Sequence, residues 1–427
     1  MSLSSLGEVL RLSAVVLSEV MRGRSLTTAF VSVSIPDFLL SAVRATSYDV
    51  VRSLNYVMAA FSHCLDSTNS KLDPFFHSLM LVAFSKLETN QYCSYAIVDQ
   101  TVNVVKKSKY RHLSGFANAV LRRYLRERDV LREALSKDDS LRYCLPDWWC
   151  QLLKKQYPDF WQELAKELLC HPPMSLRVNR RKVPLSEYVD ILNKMHIDHS
   201  VIDQYSIILD RPCPQKDLPH YDDGYVSVQD YGAQKITSFI NLNKGDRLLD
   251  ACCGSGGKLC AVLESFDGLD VVAVDNDCVR LSRLREELKR LQLDATVIQA
   301  DLFDLCQWWN GVPFDVIVLD VPCSGSGSVR RHICSKWHKR QEDLLNFSRI
   351  QSNMLLALWP LLKQGGQLLY VTCSLFDEEN LIPLRFLVDR FTDAFVAHLP
   401  GQNGVWGVNL HPGPYSDGFF YAALTKK

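Results

Sequence analysis

The second half of the chain repeats one pattern, in which a short apolar run ends near an acidic or cysteine side chain and a polar stretch follows. The runs are Arg247 to Asp250, Val271 to Asp275, Thr296 to Asp301, Phe314 to Asp320 and Gln367 to Thr372. A helix between the second and third runs has one apolar face, formed by Leu281, Leu284, Leu288 and Leu291. Apolar strands that alternate with helices form a parallel sheet covered on both faces. The pattern therefore predicts an α/β domain with a mostly parallel sheet over residues 226–427.

The first half of the chain has a different character. Over residues 1–140 proline is rare and apolar residues recur at helical spacing, as in Phe75, Leu79 and Phe84. This predicts an all-α domain. Residues 141–225 contain several prolines among short mixed segments, which predicts an α/β connector subdomain of unassigned topology.

Composition limits the kind of protein. Lys and Arg total 48 and so do Asp and Glu, so any nucleic-acid contact must come from local basic clusters. The fourteen cysteines include no Cys-x-x-Cys pair, which argues against a zinc site and against a disulfide framework. We expect no signal peptide, and no apolar run approaches the roughly 20 residues that span a bilayer. We expect a cytoplasmic monomer with reduced thiols, no membrane segment and no metal.

A glycine-rich turn follows the first predicted strand, in the segment Asp250-Ala-Cys-Cys-Gly-Ser-Gly-Gly-Lys258. Such a turn lets a ligand approach the backbone closely. Leu259 excludes a phosphate-binding P-loop, which needs Ser or Thr there, and a dinucleotide fingerprint, which needs Gly. Asp275 and Asp301 end the next two strands, where acids suit a ribose diol and an adenine edge. These features predict a nucleoside pocket and leave a nicotinamide dehydrogenase open as an alternative.

Two cysteines follow the last two predicted parallel strands, in Asp320-Val-Pro-Cys323-Ser and Tyr370-Val-Thr-Cys373-Ser. Neighbouring strand ends would bring them into one pocket. A thiolate that adds to carbon 6 of a pyrimidine makes carbon 5 nucleophilic, and a second thiol can assist release. An acid such as Asp320 can hold the cytosine ring through its nitrogen-3 and amino edge. A dehydrogenase does not explain the two cysteines.

At these motifs the sequence resembles the RNA cytosine-C5 methyltransferases, and within them the Sun (also Fmu or RsmB) family of bacterial ribosomal RNA enzymes. The segment Phe116-Ala-Asn-Ala-Val-Leu-Arg122 resembles the NusB-like RNA-binding domain that Sun enzymes carry. Ser227-Val-Gln-Asp230 and Asp417-Gly-Phe-Phe420 also look like this family. The resemblance implies a NusB-like domain over residues 1–140, the connector, and a Rossmann-like catalytic domain over residues 226–427.

The resemblance implies a role for each matching residue. Cys373 would be the nucleophile and Cys323 would help release the product, with Asp320 and Lys258 beside them. The substrate would be small-subunit (16S) ribosomal RNA and the cofactor S-adenosylmethionine. Cofactor contacts would come from Cys252, Cys253, Gly254, Ser255, Gly256, Gly257, Lys258, Asp275, Asp301 and Asp320.

One departure from the family keeps a second interpretation open. The family's cofactor loop reads Cys-Ala-Ala-Pro-Gly-Gly-Lys, whereas here it is Cys252-Cys-Gly-Ser-Gly-Gly-Lys258. The alternative is a non-catalytic RNA-binding or ribosome assembly factor that retains a cofactor-binding domain. RNA contacts are predicted from basic clusters, whose charges can hold the RNA backbone, and from the aromatic residues near them, which can stack on bases. Such contacts are needed because a target base must leave its stack. The residues predicted for this are Arg122, Arg330, Arg331, His332 and Trp337.

Overall fold

The computed structural model describes residues 3–65, 72–89, 91–402 and 404–427. It divides into two compact units. The helical unit comprises Met1–Leu169 together with His332–Lys339, and the sheet unit comprises Cys170–Arg331 together with Arg340–Lys427. The chain therefore leaves the sheet unit once, contributes eight residues to the helical unit, and returns.

The helical unit confirms the predicted all-α N-terminal fold. Its helices are α1 (Leu3–Met21), α2 (Leu26–Ser32), α3 (Asp37–Arg52), α4 (Leu54–His63), α5 (Pro74–Thr89), α6 (Ser94–Lys106), α7 (Ser114–Leu135), α8 (Asp139–Arg142), α9 (Asp147–Gln156) and α10 (Trp161–Glu167). Helix α5 is buried on nearly all sides, which identifies it as the central helix of the unit. Its Phe84 packs against Tyr124 of α7, with ring centroids 4.3 Å apart.

The first part of the sheet unit is a small antiparallel sheet, whose topology the sequence left open. Its strands are β1 (Met174–Val178), β2 (His199–Val201), β3 (Ser206–Leu209) and β4 (Val226–Val228), with α11 (Leu185–Lys194) between β1 and β2. The strand order is β2-β3-β1-β4. Strand β4 lies at the start of the segment predicted to be catalytic, yet it pairs with β1 of this smaller sheet.

The larger sheet confirms the predicted Rossmann-like arrangement. Its strands are β5 (Arg247–Ala251), β6 (Asp270–Asp275), β7 (Thr296–Gln299), β8 (Phe314–Asp320), β9 (Leu362–Thr372), β10 (Ala394–Ala397), β11 (Val408–Leu410) and β12 (Phe419–Lys426). The helices are α12 (Tyr231–Gln234), α13 (Gly257–Ser265), α14 (Cys278–Leu291), α16 (Gln341–Leu358), α17 (Asp377–Asn380) and α18 (Ile382–Arg390).

The strand order is β10-β12-β9-β8-β5-β6-β7, with β11 paired to β12. The five strands from β9 to β7 run parallel, and β12 is antiparallel to β9. Alternate strand residues face opposite sides of the sheet, so Leu248 joins one apolar layer with Leu284, and Leu249 joins the other with Leu355. Successive strands are added on one side of β5 as far as β7, and on its other side from β8 onward. Because the strand order reverses between β5 and β8, the ligand crevice is expected at the carboxyl ends of these two strands.

The segment that returns to the helical unit is held there by its own side chains. It contains the short helix α15 (Ser335–His338). Lys336 is buried, and its Nζ donates to the carbonyl oxygens of Arg52 at 3.0 Å and Cys144 at 2.6 Å. Burial lowers the pKa of Lys336 to about 7. Trp337 donates from its indole nitrogen to the Val51 carbonyl at 2.8 Å, so the segment is integrated into the helical core.

Candidate active site

Two thiols meet where β8 and β9 end. These strands are parallel and Asp320 is in register with Val371, so the loops that follow them start side by side. Cys323 and Cys373 lie on those loops, and their sulfur atoms are 3.3 Å apart. This is a hydrogen-bonding distance for thiols and far longer than a disulfide. The loops also share a backbone bond from Gly327 N–H to the Cys373 carbonyl at 2.9 Å.

The two thiols differ in their acidity. The hydrogen bond from Cys323 lowers the pKa of Cys373, against the opposing effects of burial and of the Asp320 carboxylate. The Lys258 ammonium assists the lowering. The same hydrogen bond, together with burial, raises the pKa of Cys323 well above its ordinary value. Cys373 is therefore the thiol that ionises first, with Cys323 as its hydrogen-bond donor.

Lys258 and Asp320 form an ion pair beside the thiols, with Nζ and Oδ2 2.7 Å apart. Lys258 is positioned by the first turn of α13 and Asp320 by the last residue of β8. Burial works against the charge on Lys258, but the Asp320 carboxylate outweighs it and raises the pKa of the ammonium. The ammonium thus stays charged where it can stabilise a thiolate.

The glycine-rich loop between β5 and α13 makes a succession of left-handed turns. Backbone φ is +75° at Cys252, +55° at Gly254 and +84° at Gly256. A Cβ on Gly256 would lie 2.2 Å from Leu284 Cδ1, so this glycine is required for both conformation and space. The loop is anchored by the bond from Gly254 N–H to Asp275 Oδ2, 2.8 Å long. It therefore forms a shaped backbone edge at the sheet's switch point.

The predicted acids line up along the strand ends with different exposure. Asp275 is buried and also accepts from Asp277 N–H at 2.9 Å, whereas Asp301 is exposed and accepts from Phe303 N–H at 3.0 Å. Asp250 is buried behind them, and burial with the nearby Asp320 charge raises its pKa to about 8. The exposed backbone of the loop at Ser255 and the carboxylates of Asp275, Asp301 and Asp320 form one set of polar groups. This set fits a nucleoside that bears positive charge.

A buried carboxylate that sequence reasoning missed joins the two cysteine loops. Glu379 of α17 is 0% exposed, and its Oε1 accepts from the backbone N–H of Ser324 at 2.6 Å. Its Oε2 accepts from the hydroxyl of Ser374. Ser324 and Ser374 directly follow Cys323 and Cys373, so a single side chain holds both loops in register.

Further polar groups complete this network. Gln351 of α16 donates to the Pro322 carbonyl at 3.0 Å and to Glu379 Oε1 at 3.4 Å. Asn380 donates to the Ser374 carbonyl at 3.0 Å and accepts from Thr372 Oγ1 at 2.6 Å. The signal in the sequence was the pair Glu379-Asn380, which lies within seven residues of Cys373. A single sequence does not reveal that such a pair points inward.

The five predicted RNA-contacting residues do not form one group. Arg330 is 1% exposed, and its guanidinium pairs with Asp417 and donates to the Gly413 and Ser416 carbonyls. The prediction that Arg330 contacts RNA is therefore wrong, because its charge is neutralised inside the protein. Arg331 is partly buried and pairs with Asp417 and Asp230.

The other three residues lie in the helical unit. Trp337 is partly buried against the helical core and its indole N–H is bonded, so the structure gives it a packing role in place of the predicted base stacking. Arg122 and His332 are exposed. Of the five predicted residues, these two keep the exposure that the RNA-contact prediction requires.

Residues 3–65, 72–89, 91–402 and 404–427, which the structure describes, also bear on other kinds of site. Within those ranges no helix is long and apolar enough to cross a membrane. The same ranges contain no group of three or more His, Cys, Asp or Glu side chains that could hold a metal ion. The fourteen cysteines, all inside the described ranges, carry free thiols.

Comparison with known families identifies three segments. The family model of the 16S rRNA methyltransferase RsmB/F matches residues 237–425. The ferredoxin-like domain of RsmF/B-like methyltransferases matches residues 145–216, and the NusB family matches residues 35–126. The matches follow the same order as the helical segment, the small antiparallel sheet region and the large sheet.

Curated relatives match over most of the chain. Ribosomal RNA small subunit methyltransferase B of Vibrio cholerae is 38% identical over 357 residues, which is 82% of this chain and 81% of that protein. The protein of the same name from Vibrio vulnificus is 35% identical over 417 residues, covering 95% and 96% of the two chains.

Solved structures show the same fold. The crystal structure of PH0851 aligns with a TM-score of 0.78 at 20% identity, covering 100% of this chain and 99% of that one. NSun6 from Pyrococcus horikoshii with SFG aligns with a TM-score of 0.59 at 17% identity, over 66% of this chain and 98% of that one.

Proposed function

This chain belongs to the RsmB/F family of 16S rRNA methyltransferases, and on that premise we propose that it methylates carbon 5 of a cytosine in small-subunit ribosomal RNA with S-adenosylmethionine. One observation carries the chemistry. Two half-buried thiols lie 3.3 Å apart at the end of the parallel sheet, and their environment favours ionisation of Cys373 over Cys323. A nucleophile with a lowered pKa beside a protonated partner suits covalent catalysis on an electron-poor ring.

The first step forms a bond between the Cys373 sulfur and carbon 6 of the cytosine. The electron pair of the thiolate makes the new bond, and the ring π electrons move to give a nucleophilic carbon 5. We assign Asp320, whose charge acts on Cys373, to hold the ring through its nitrogen-3 and amino edge. Lys258, paired with Asp320, keeps positive charge beside the thiolate before attack.

S-adenosylmethionine, when bound, supplies a methyl group on a sulfonium centre that carbon 5 accepts. We assign cofactor binding to the 252–258 loop with Asp275, Asp301 and Asp320, whose carboxylates would suit its ribose diol and positive charges. The Cys-Gly-Ser departure in this loop is compatible with binding, because Gly254 takes a left-handed φ of +55° that glycine adopts at little cost.

The release step removes the proton from carbon 5. The electrons of that C–H bond re-form the ring double bond and expel the Cys373 thiolate. Before attack, the nearby Cys373 charge raises the pKa of Cys323. Once Cys373 is bonded to carbon this charge is gone, so Cys323 loses its own proton to solvent more easily, and the resulting thiolate can accept the carbon-5 proton directly or through water. The opposite pKa shifts of the two thiols support this order of roles.

The same premise extends to the parts of the chain. We assign residues 1–140 to a NusB-like RNA-binding domain, residues 141–225 to the connector and residues 226–427 to the catalytic domain. The family matches at residues 35–126, 145–216 and 237–425 support this division.

Methyl transfer to purified small-subunit rRNA tests the proposal. Wild type and Cys373→Ala are incubated with the RNA and labelled S-adenosylmethionine, and the RNA is digested to nucleosides for mass spectrometry. We expect label in 5-methylcytidine with wild type and at least a thousandfold less with Cys373→Ala. Label in any other nucleoside, or unreduced transfer by Cys373→Ala, would contradict the proposed chemistry.

A further inference from the structure

The helical unit carries a basic surface that the catalytic chemistry does not use. It is formed by the end of α6 and the turn before α7, where the sequence reads Lys106-Lys-Ser-Lys-Tyr-Arg-His112. Lys106, Lys107 and Arg111 are exposed, and none of them makes an ion pair with a described residue. Lys109 makes a long contact of 3.8 Å to Asp73, and its Nζ lies 5.0 Å from the centroid of the Tyr110 ring. In a chain of net charge +0, this is a local excess of positive charge.

A cavity of about 330 Å³ adjoins this surface, between α6 and the start of α7. Its lining includes Tyr95, Lys106, Asn118 and Arg122. Tyr95 is 75% exposed, so its ring is available for stacking on a base. Arg122 donates from Nε to Asn118 Oδ1 at 3.1 Å, which fixes the guanidinium at the cavity.

One acid lines the cavity, and its chemistry suits a base better than a phosphate. Asp99 Oδ2 accepts from Gln100 at 2.9 Å and from Asn103 at 3.1 Å, which keeps its carboxylate oriented. A carboxylate repels phosphate, but it accepts well from the exocyclic amino group of a nucleobase. The surface therefore offers cations for a backbone, an exposed ring for stacking and an acceptor for a base edge.

We propose that this α6–α7 surface binds a single-stranded segment of the RNA substrate, with Tyr95 stacked on a base and Lys106, Lys107, Arg111 and Arg122 on the phosphates. An exposed ring beside a basic groove is the combination that single-stranded RNA sites use. An acidic protein segment would pair with the cations but would leave Tyr95 and Asp99 without a role. The inference rests on the proposed RNA substrate, and it adds a binding site remote in sequence from Cys373.

The test measures binding of full-length protein to small-subunit rRNA at several salt concentrations. We compare Lys106→Gln/Lys107→Gln with the matched control Lys137→Gln/Lys155→Gln, which removes two exposed lysines elsewhere on the helical unit. For the first variant we expect a Kd raised roughly tenfold and a log–log salt slope reduced by about 1.4, or about 0.7 for each lost phosphate contact. The control variant should show the same Kd and the same salt slope as wild type.

Substitutions of Tyr95 separate stacking from charge. Tyr95→Ala should raise Kd roughly tenfold without changing the salt slope, and Tyr95→Phe should bind as wild type does, because stacking needs only the ring. The kcat of methyl transfer at saturating RNA should stay unchanged in all these variants. The surface inference is overturned if the Lys106/Lys107 and control variants show equal Kd and equal slope, or if wild type does not bind the RNA. If the Lys106/Lys107 variant binds the RNA more weakly than wild type does, but wild type transfers no methyl group, the result supports this surface and contradicts the proposed chemistry.

Discussion

Two chemically identical side chains, Cys323 and Cys373, are proposed to have different roles because each shifts the pKa of the other. Cys323 donates to Cys373, which lowers the pKa of the acceptor and raises the pKa of the donor. Lys258 adds a second stabilising contribution to the Cys373 thiolate. The proposed assignment of Cys373 as nucleophile and Cys323 as helper therefore depends on both thiols together.

This pairing gives a pH prediction. A lowered pKa means that Cys373 is a thiolate at a lower pH than an ordinary thiol, so attack should become faster with rising pH and level off early. Cys323→Ala removes the donor, raises the pKa of Cys373 and should shift the half-maximal rate of covalent attack to higher pH. Cys323→Ser keeps an O–H donor and should shift it less. Rates of protein–RNA adduct formation from pH 6 to 9 measure this, and identical profiles for the two variants would contradict it.

The position of a residue could be predicted from the sequence where it belongs to a recognisable motif. It could not be predicted where it depends on which side chains the fold buries. Cys323, Cys373 and Asp320 follow strand ends, and parallel strands bring such ends together. Arg330 belongs to an ordinary charge run, and its burial depends on Asp417, which is 87 positions away. Glu379 was missed because an acid on a short helix usually faces solvent.

At the level of elements, α16 and α17 act as a frame for the two cysteine loops. Glu379 accepts from both Ser324 and Ser374, and Gln351 reaches the same carboxylate. These bonds have no access to solvent, so the frame is stiff and costly to disrupt. It fixes the separation on which the thiol hydrogen bond depends.

Glu379→Gln tests this frame. One oxygen becomes an NH2 group that faces either the Ser324 N–H or the Ser374 hydroxyl, so a buried donor loses its acceptor. We expect unfolding free energy to fall by about 1–3 kcal/mol and the adduct rate to fall roughly tenfold to a hundredfold. The control Glu342→Gln, on the exposed first turn of α16, should change neither. A stability loss with an unchanged adduct rate would show that Glu379 supports the fold without positioning the thiols.

The strands and helices with strong apolar patterns could be predicted from the sequence, but the residues at which they begin and end could be predicted less well. Strand β7 ends at Gln299, two residues short of the predicted Asp301. Strand β9 begins at Leu362, before the predicted Gln367, since Gly365 and Gly366 hide the strand in the sequence pattern. The small antiparallel sheet could not be assigned, because its four strands are three to five residues long.

At the scale of the whole molecule, the equal numbers of acidic and basic residues conceal local specialisation. The helical unit concentrates uncompensated cations between α6 and α7, whereas Arg330 and Arg331 of the sheet unit are neutralised by Asp417 and Asp230. Net charge is therefore a poor guide to RNA binding for this chain. The order of helical, connector and sheet segments followed from composition, but the return of residues 332–339 to the helical unit did not. That return depends on long-range packing of Lys336 and Trp337, which leaves no local pattern.

The central claim is that Cys373 forms the bond to the RNA and Cys323 allows that bond to break. Wild type, Cys323→Ala and Cys373→Ala are each incubated at pH 8.5 with small-subunit rRNA and S-adenosylmethionine, denatured, and resolved for protein that remains attached to RNA. The account predicts a stable adduct with Cys323→Ala, none with Cys373→Ala, and turnover with little adduct for wild type. An adduct that forms with Cys373→Ala and not with Cys323→Ala would reverse the two roles and contradict the account.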